Sequence, residues 1–347
     1  MPLFLKHSGR GEVELQEHSI PTPAEGQLLV KVVIAGGNPV DSDLNSTIPL
    51  VGTTVGYDFA GTVESLGPAV SCFNIGDRVA GYSFGHASPN PAWGAFGEYC
   101  IGWNYLTFKI PESMSFEEAA TLPVGLTVAG LSLGKELALK KGDSGPLLVV
   151  GGATNMGAIA IQYAKAIGIS PIVAVASKKN EALVKSLGAD EFVDYALPED
   201  EYIAKVKSVT PGLKHALDAR STVETLVLTG KIVGPGGKVV ALNPPPDEGT
   251  PQDVEYAFVN SFAIFGVDYN VFGIDFAADS DSQSFLKDWF QNTADKLVTG
   301  GAIKPHGYKV VDGGLLGVRE GWELYDAKAV SAQKLIYRVG DTEGIKK

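Results

Sequence analysis

Apolar positions fall into two textures along the chain. From Leu28 to about Lys109 they come in short β-like runs, LLVKVVIAG, GTVESLG, DRVAGY and GEYCIG, separated by Gly, Pro and Asp/Asn turn signals. That pattern predicts a small, curved all-β domain. After Pro111 the stretch SMSFEEAATLPVGLTVAGLSLGKEL carries Ser115 and Glu118 at capping-box spacing, then a long run of apolar and small residues. This predicts a buried helix and puts a domain boundary there. From Pro146 β-rich runs (LLVVG, PIVAVAS, EFVDY, HALDA, KVVALN) alternate with helix-length segments such as MGAIAIQYAKAIG and NEALVKSLGA. Such alternation predicts a parallel, doubly wound sheet. Beyond the Pro-rich NPPPDEGTP, SFAIFGVDY reads as another β-run and 282–298 as an amphipathic helix. The tail from Ile303 returns to the mixed texture of the first part and is expected to rejoin it.

Length and charge narrow the function classes. A chain of 347 residues is long enough for two cores. A formal charge of −12 repels phosphate backbones and anionic lipid, so neither nucleic acid nor a membrane is expected as a partner, and any anionic ligand must be held by local dipoles and a few placed cations. No charged-then-apolar leader and no apolar run of about 18 residues is evident, so the chain is expected to be cytoplasmic. Cys72 and Cys100 are too few for a disulfide framework, and a single bridge is disfavoured in a reducing compartment.

The strongest local signal is LLVVGGATNMG, residues 147–157, where a buried strand runs into a Gly-rich turn that opens a helix. Such a turn aims backbone N–H groups and a positive helix end at a pyrophosphate. Gly151, Gly152, Ala153, Thr154, Asn155, Met156 and Gly157 form it, with Thr154 where the middle Gly of G-x-G-x-x-G would stand. A strand-to-helix turn that binds nothing is the alternative. Roughly 20 residues on, where an NAD enzyme has a carboxylate for the ribose, stand Ser177, Lys178 and Lys179. A hydroxyl and ammonium groups favour a 2′-phosphate and hence NADPH; solvated lysines in the first turn of a helix are the other reading.

The segments AGGNPVDSDL, GYDFAGTVESLG, FNIGDRVAGY, GAFGEYC, KIPESMSFEEAATLPVGLTVAGL and LGADEFVDY resemble the zinc-free quinone-oxidoreductase branch of the medium-chain dehydrogenase/reductase superfamily, in order along essentially the whole chain. GGATNMG and the SKKN stretch look most like the fungal trans-acting enoyl reductases that serve polyketide synthases. The resemblance implies an α/β fold: a GroES-like, β-rich catalytic domain of residues 1–118 completed by 302–347, and a Rossmann NADPH-binding domain of 119–301. It also implies cofactor contacts. Asn38, Pro39, Val40, Asp41 and Thr127 would lie on the nicotinamide side, Ala153, Thr154, Asn155 and Met156 at the pyrophosphate, and Ser177, Lys178, Asn180 and Tyr195 around the adenosine 2′-phosphate. Leu242, Asn243, Val330 and Lys334 would line or close over the cofactor. The substrate wall would include Val128, Leu131, Phe265, Gly266, Val267 and Tyr269. Where many relatives have Gly-Gly this chain has Thr154 and Asn155, and because Thr tolerates positive φ poorly the turn is expected to differ in shape.

Zinc enzymes of the superfamily use Cys and His ligands plus a lobe of four cysteines. Here those neighbourhoods read GGNPVD and Tyr57-Asp58, so no metal is expected. His7, His18, His86, His215 and His306 show no ligand spacing and are expected to be surface or satisfied structural residues. Without a Lewis acid, reduction of an already conjugated acceptor is favoured over ketone/alcohol interconversion. Tyr57 is the candidate proton donor, packing of the wall being its other reading, and Asp58 is expected to brace a loop. Tyr82, Phe84, Trp93 and Phe96 flank the loop YSFGHASPNPAWGAFG, a substrate lid with Trp93 in it or part of the core. The functions in play are NADPH-dependent ene reduction on a small or carrier-bound unsaturated substrate, with a polyketide synthase as the carrier's source; quinone reduction; and a non-catalytic cofactor-binding role. The resemblance allows a monomer or a homodimer.

Overall fold

Strand β3 (Gln27–Gly36) is buried at every position except Lys31 and Val33, because it pairs along both edges. Around it the computed structural model, which describes residues 1–47, 50–271 and 273–345, builds the first of two compact units. This unit comprises Met1–Thr127, Phe262–Thr299 and Pro305–Lys347. It opens with a hairpin of β1 (Leu3–Gly9) and β2 (Glu12–Glu17), which the run pattern did not isolate because β2 has no fully buried position. After β3 come α1 (Pro39–Thr47), β4 (Asp58–Leu66), β5 (Arg78–Tyr82), β6 (Tyr99–Trp103) and β7 (Thr107–Lys109).

The predicted long helix after Pro111 is broken. Ser115 and Glu118 do form a reciprocal capping box, but α2 (Phe116–Ala119) stops after one turn. Pro123 lacks an amide hydrogen and restricts Leu122 before it, so the chain restarts as α3 (Pro123–Ala129) and continues in a π-helical stretch, Gly130–Glu136.

The second unit, Val128–Ser261 with Gly300–Lys304, carries β8 (Leu147–Val150), α4 (Asn155–Ile167), β9 (Ile172–Ala176), α5 (Glu181–Leu187), β10 (Glu191–Asp194), α6 (Glu199–Val209), β11 (His215–Asp218), α7 (Val223–Val233), β12 (Lys238–Ala241) and β13 (Glu255–Phe258). All six strands are parallel in the order β10-β9-β8-β11-β12-β13. In sequence rank this is 3-2-1-4-5-6, the doubly wound dinucleotide-binding order. The five strands predicted from the runs are β8 to β12. β13 escaped notice because, as an edge strand, it has no buried position and so no apolar run.

The chain then returns to the first unit with β14 (Tyr269–Val271), β15 (Ile274–Phe276), α8 (Ser280–Trp289), α9 (Asp295–Thr299), β16 (Tyr308–Val310), α10 (Val318–Asp326) and β17 (Lys334–Arg338). SFAIFGVDY is not one strand: Ala263–Phe265 is a 3-10 turn ended by Gly266 at φ +76°, and β14 begins only at Tyr269. The compact units group 262–299 with the first unit, whereas the resemblance would place this segment in 119–301. Its rings stack on that unit: Phe265 lies 4.5 Å from Phe84 and 4.7 Å from Trp103, and Tyr105 donates to the Ile264 carbonyl. The helix expected at 282–298 is α8 joined to α9 through a π-turn, Phe290–Ala294. The first unit's main sheet runs β16-β17-β3-β4-β5-β7, with β6 also on β3. Among the described residues no helix is long and apolar enough to cross a membrane.

Candidate functional site

In the second unit, β8 ends at Val150 and the turn Gly151–Thr154 leads into α4. The positive φ falls on Gly151, at +77°. Thr154 is extended and caps the helix, its Oγ1 accepting from the Gly157 N–H at 3.1 Å. The expected conflict of Thr with a left-handed turn therefore does not arise. A Cβ on Gly157 would sit 2.3 Å from the Gly151 carbonyl oxygen, so glycine is required where helix and turn meet, and one on Gly152 would press on Ala174 Cβ of the strand at 3.0 Å. The geometry fits a pyrophosphate: a 13-residue helix opens at the carboxyl end of the first strand of a parallel sheet.

The other predicted residues of this unit gather at the same sheet edge. Ser177 follows β9, Tyr195 follows β10, and the Tyr195 N–H donates to the Ala176 carbonyl, holding the two strand ends together. Lys178, Lys179 and Asn180 form a 3-10 turn; Lys178 is exposed, pairs with Glu181 and lies 5.6 Å from the Phe192 ring centre. After β12, the Leu242 N–H donates to Ser221 Oγ at 2.7 Å and Asn243 Nδ2 to the Ser221 carbonyl at 3.2 Å. Val128 and Leu131 are buried in the helical run that begins the unit.

In the first unit, Asn38, Asp41, Asp58 and Lys334 form one buried polar centre, although α1, β4 and β17 bring them from distant parts of the sequence. Lys334 Nζ lies 2.6 Å from Asp58 Oδ2 and donates to Asn38 Oδ1 at 2.8 Å. Asn38 Nδ2 donates to Asp58 Oδ2 at 2.8 Å, and the Val124 N–H at the start of α3 donates to Asp58 Oδ1 at 2.7 Å. Asp41 Oδ2 accepts from the Asn38 N–H. Burial raises the Asp41 carboxyl well above its ordinary range, against the pull of that N–H bond. Asp58 thus ties three elements together, and Lys334 has two internal partners. Of their sequence neighbours, Pro39 is exposed, Val40 and Val330 are half-buried, and Thr127 is buried with its hydroxyl unpartnered among the described residues.

Tyr57 heads an aromatic enclosure in the same unit. Its ring lies 5.4 Å from Phe262 and 5.9 Å from Tyr82, while Phe265 and Tyr269 close on Phe84. The Tyr57 hydroxyl is buried without a partner among the described residues, and burial, followed by Tyr82, Asp41 and Tyr269, pushes its pKa well up. The phenol keeps its proton throughout the ordinary pH range. Trp93 is half-buried edge-on against Trp103 at 4.9 Å, and Phe96 is wholly buried against Tyr337. Gly266 is exposed and Val267 half-buried.

One expectation fails at the histidines. Among the described residues neither ring nitrogen of buried His86 has a partner, and its φ is +31°. Burial, and then His7, lowers its pKa to about 3. It is neither a surface residue nor a satisfied structural one. Sequence spacing missed it because its neighbours, Tyr57, His7 of β1 and Trp322 of α10, come from distant parts of the chain. Among the described residues no group of three or more His, Cys, Asp or Glu is placed to hold a metal ion, and both cysteines are free.

Residues 24–112 match the alcohol dehydrogenase GroES-like domain family and residues 156–287 the zinc-binding dehydrogenase family. The chain is 34% identical over 349 residues to a trans-enoyl reductase of Penicillium crustosum, covering 95% of this chain and 94% of that one. It is 36% identical over 345 residues to a trans-enoyl reductase of a Pyrenochaetopsis species, covering 94% and 93%. Among solved structures, an alcohol dehydrogenase superfamily protein from Novosphingobium aromaticivorans superposes with a TM-score of 0.80 at 22% identity, covering 98% of this chain and 100% of that one. Two units of these topologies and full-length relatives at this identity lead to one conclusion: the chain belongs to the medium-chain dehydrogenase/reductase superfamily and is an oxidoreductase of that type.

Proposed function

We propose that this protein is a zinc-independent, NADPH-dependent reductase of conjugated carbon–carbon double bonds of the enoyl or enone type. The observation that carries this reading is the ammonium of Lys334, buried 2.6 Å from Asp58 beside Asn38. A fixed cation in that neighbourhood repels a divalent metal, and among the described residues no group of three or more His, Cys, Asp or Glu is placed to hold one. The chemistry left open is addition to an acceptor already polarised by conjugation.

NADPH, when bound, supplies the hydride that adds to the β-carbon. Residues 151–157 hold the pyrophosphate, and Ser177, Lys178, Lys179, Asn180 and Tyr195 the 2′-phosphate, with Lys178 exchanging Glu181 for the phosphate. Asn38, Asp41, Thr127, Leu242, Asn243 and Lys334 are the remaining cofactor-side candidates of the first and second units. Tyr57 donates its retained proton toward the acceptor's carbonyl oxygen as the electron pair moves there from the double bond. Phe265 and Tyr269, with Trp93 behind Trp103, shape an apolar wall suited to an acyl chain. The trans-enoyl reductase relatives support a carrier-bound polyketide acyl substrate.

The test is NADPH and NADH oxidation by the purified chain across enones, enoyl thioesters and quinones. Turnover of enoyl thioesters or enones with NADPH at least about tenfold better than with NADH is expected. Turnover of quinones alone would move the assignment to quinone reduction. No oxidation with any acceptor would leave a non-catalytic role.

A further inference from the structure

Seven polar atoms on five buried side chains of the first unit meet no partner among the described residues: the Tyr57 hydroxyl, both ring nitrogens of His86, Trp322 Nε1, both amide atoms of Asn45 and His7 Nδ1. All five residues are at most 5% exposed. Buried polar atoms are paired in the great majority of cases, and each left unpaired costs about 1–3 kcal/mol, so a cluster of them marks a place built for a polar guest.

The five come together. The His86 ring centre lies 5.8 Å from that of Tyr57 and 6.1 Å from that of Trp322. The Ser42–Asp326 hydrogen bond joins α10, which carries Trp322, to α1, which carries Asn45 one turn from Ser42. His7 Nε2 reaches the Asn45 carbonyl at 3.1 Å, and His7 bears electrostatically on His86. The backbone holds His86 at φ +31°, a conformation side chains rarely adopt and one that persists where the surroundings impose it, often at ligand sites.

Resting on the ene-reductase reading above, we infer that Tyr57, His86, Trp322, Asn45 and His7 form a specificity niche that receives a neutral hydroxyl or carbonyl oxygen carried by the acceptor chain. The set offers donors and acceptors and contains no Asp, Glu, Lys or Arg side chain. Its imidazoles are neutral at ordinary pH in the case of His86, and Lys6, beside His7, gives its ammonium to the Gly52 and Pro91 carbonyls. A carboxylate or phosphate would enter without a lysine or arginine to meet it, while an all-carbon chain would leave the polar atoms unpaired. Tyr57 stacks on Phe262 and lies beside His86, so the niche adjoins the aromatic wall that the acceptor chain would follow.

The inference predicts that the wild type prefers a hydroxylated enone to the plain enone of equal length, chiefly through KM. In H86L and in W322F, which leaves the backbone at His86 untouched, the ratio of kcat/KM for the two acceptors should collapse by about tenfold. A ratio unchanged in both variants overturns the niche. A second readout is independent of turnover: in protein with ring-labelled histidine, 5-hydroxy-2-pentanone should move the His86 NMR resonances while 2-pentanone does not. Equal response to both ketones, or none to either, overturns the niche even if enones are reduced. Selective response without NADPH oxidation by any acceptor keeps the niche and removes the ene-reductase reading instead.

Discussion

The turn of the second unit and the polar centre of the first are built from different material. The turn is backbone: Gly151 supplies a left-handed φ, Gly157 and Gly152 supply absent Cβ atoms, and Thr154 caps the helix they open. The polar centre is side chain: Asn38, Asp58 and Lys334 converge from three elements and satisfy one another in the core. A backbone site tolerates change of side chain but not added volume; a side-chain site is indifferent to small volume changes but cannot lose one partner.

The sharpest way to break this contrast is Lys334→Met. It leaves the Asp58 carboxylate buried with only neutral partners, which should cost about 3–5 kcal/mol in denaturant unfolding. Asp58→Asn combined with Lys334→Met should recover much of that loss, because both charges leave together. If the single variant is as stable as the wild type, Lys334 is not a structural partner of Asp58 and is free to serve the cofactor alone.

Gly157→Ala tests the other side. Its Cβ would stand 2.3 Å from a backbone oxygen that cannot swing aside. Overpacking of this kind costs about 1–3 kcal/mol, and the shifted turn should weaken NADPH binding in a titration by about tenfold. Undiminished binding would mean that the turn does not hold the pyrophosphate.

The same difference decided what could be read in advance. Strands β8 to β12 and their turn were legible because a parallel sheet writes apolar runs at regular spacing and the turn needs glycine at fixed positions. β13 was not, since an edge strand without buried positions has no run to show. The family resemblance supplied Asn38, Asp41 and Lys334 as cofactor-side residues, yet nothing local in NPVD or SAQKL shows that Lys334 pairs with Asp58, some 276 residues away. His86 was passed over for the same reason: its neighbours Tyr57 and Trp322 are set by tertiary packing.

At the exposed rim of the second unit the effects should be smaller. Lys178 shares its ammonium with Glu181. Lys178→Ala should weaken NADPH binding about three- to fivefold and leave NADH binding unaltered, while Glu181→Gln should tighten NADPH binding about twofold by freeing the cation. Equal effects of Lys178→Ala on both cofactors would remove it from the 2′-phosphate site.

The mildest prediction concerns charge in the second unit's scaffold. Burial alone would raise the Asp190 carboxyl, but the Ile172 N–H, Lys165 and Ser170 outweigh it and the pKa falls below its ordinary value. A depressed folded pKa means that the folded state binds the proton less readily than the unfolded chain, so the contribution to stability is present above the unfolded value of about 3.9 and is lost as pH falls through the folded one. Because Asp190 is half-buried and its side chain still meets solvent, screening keeps this to about 1 kcal/mol at most. Asp190→Asn should therefore lower Tm slightly at pH 6, and the gap to the wild type should close as the pH falls below about 4. A gap that persists undiminished at low pH would show that Asp190 acts through its hydrogen-bonding shape rather than its charge, and would make the second unit's scaffold, like its turn, a matter of geometry.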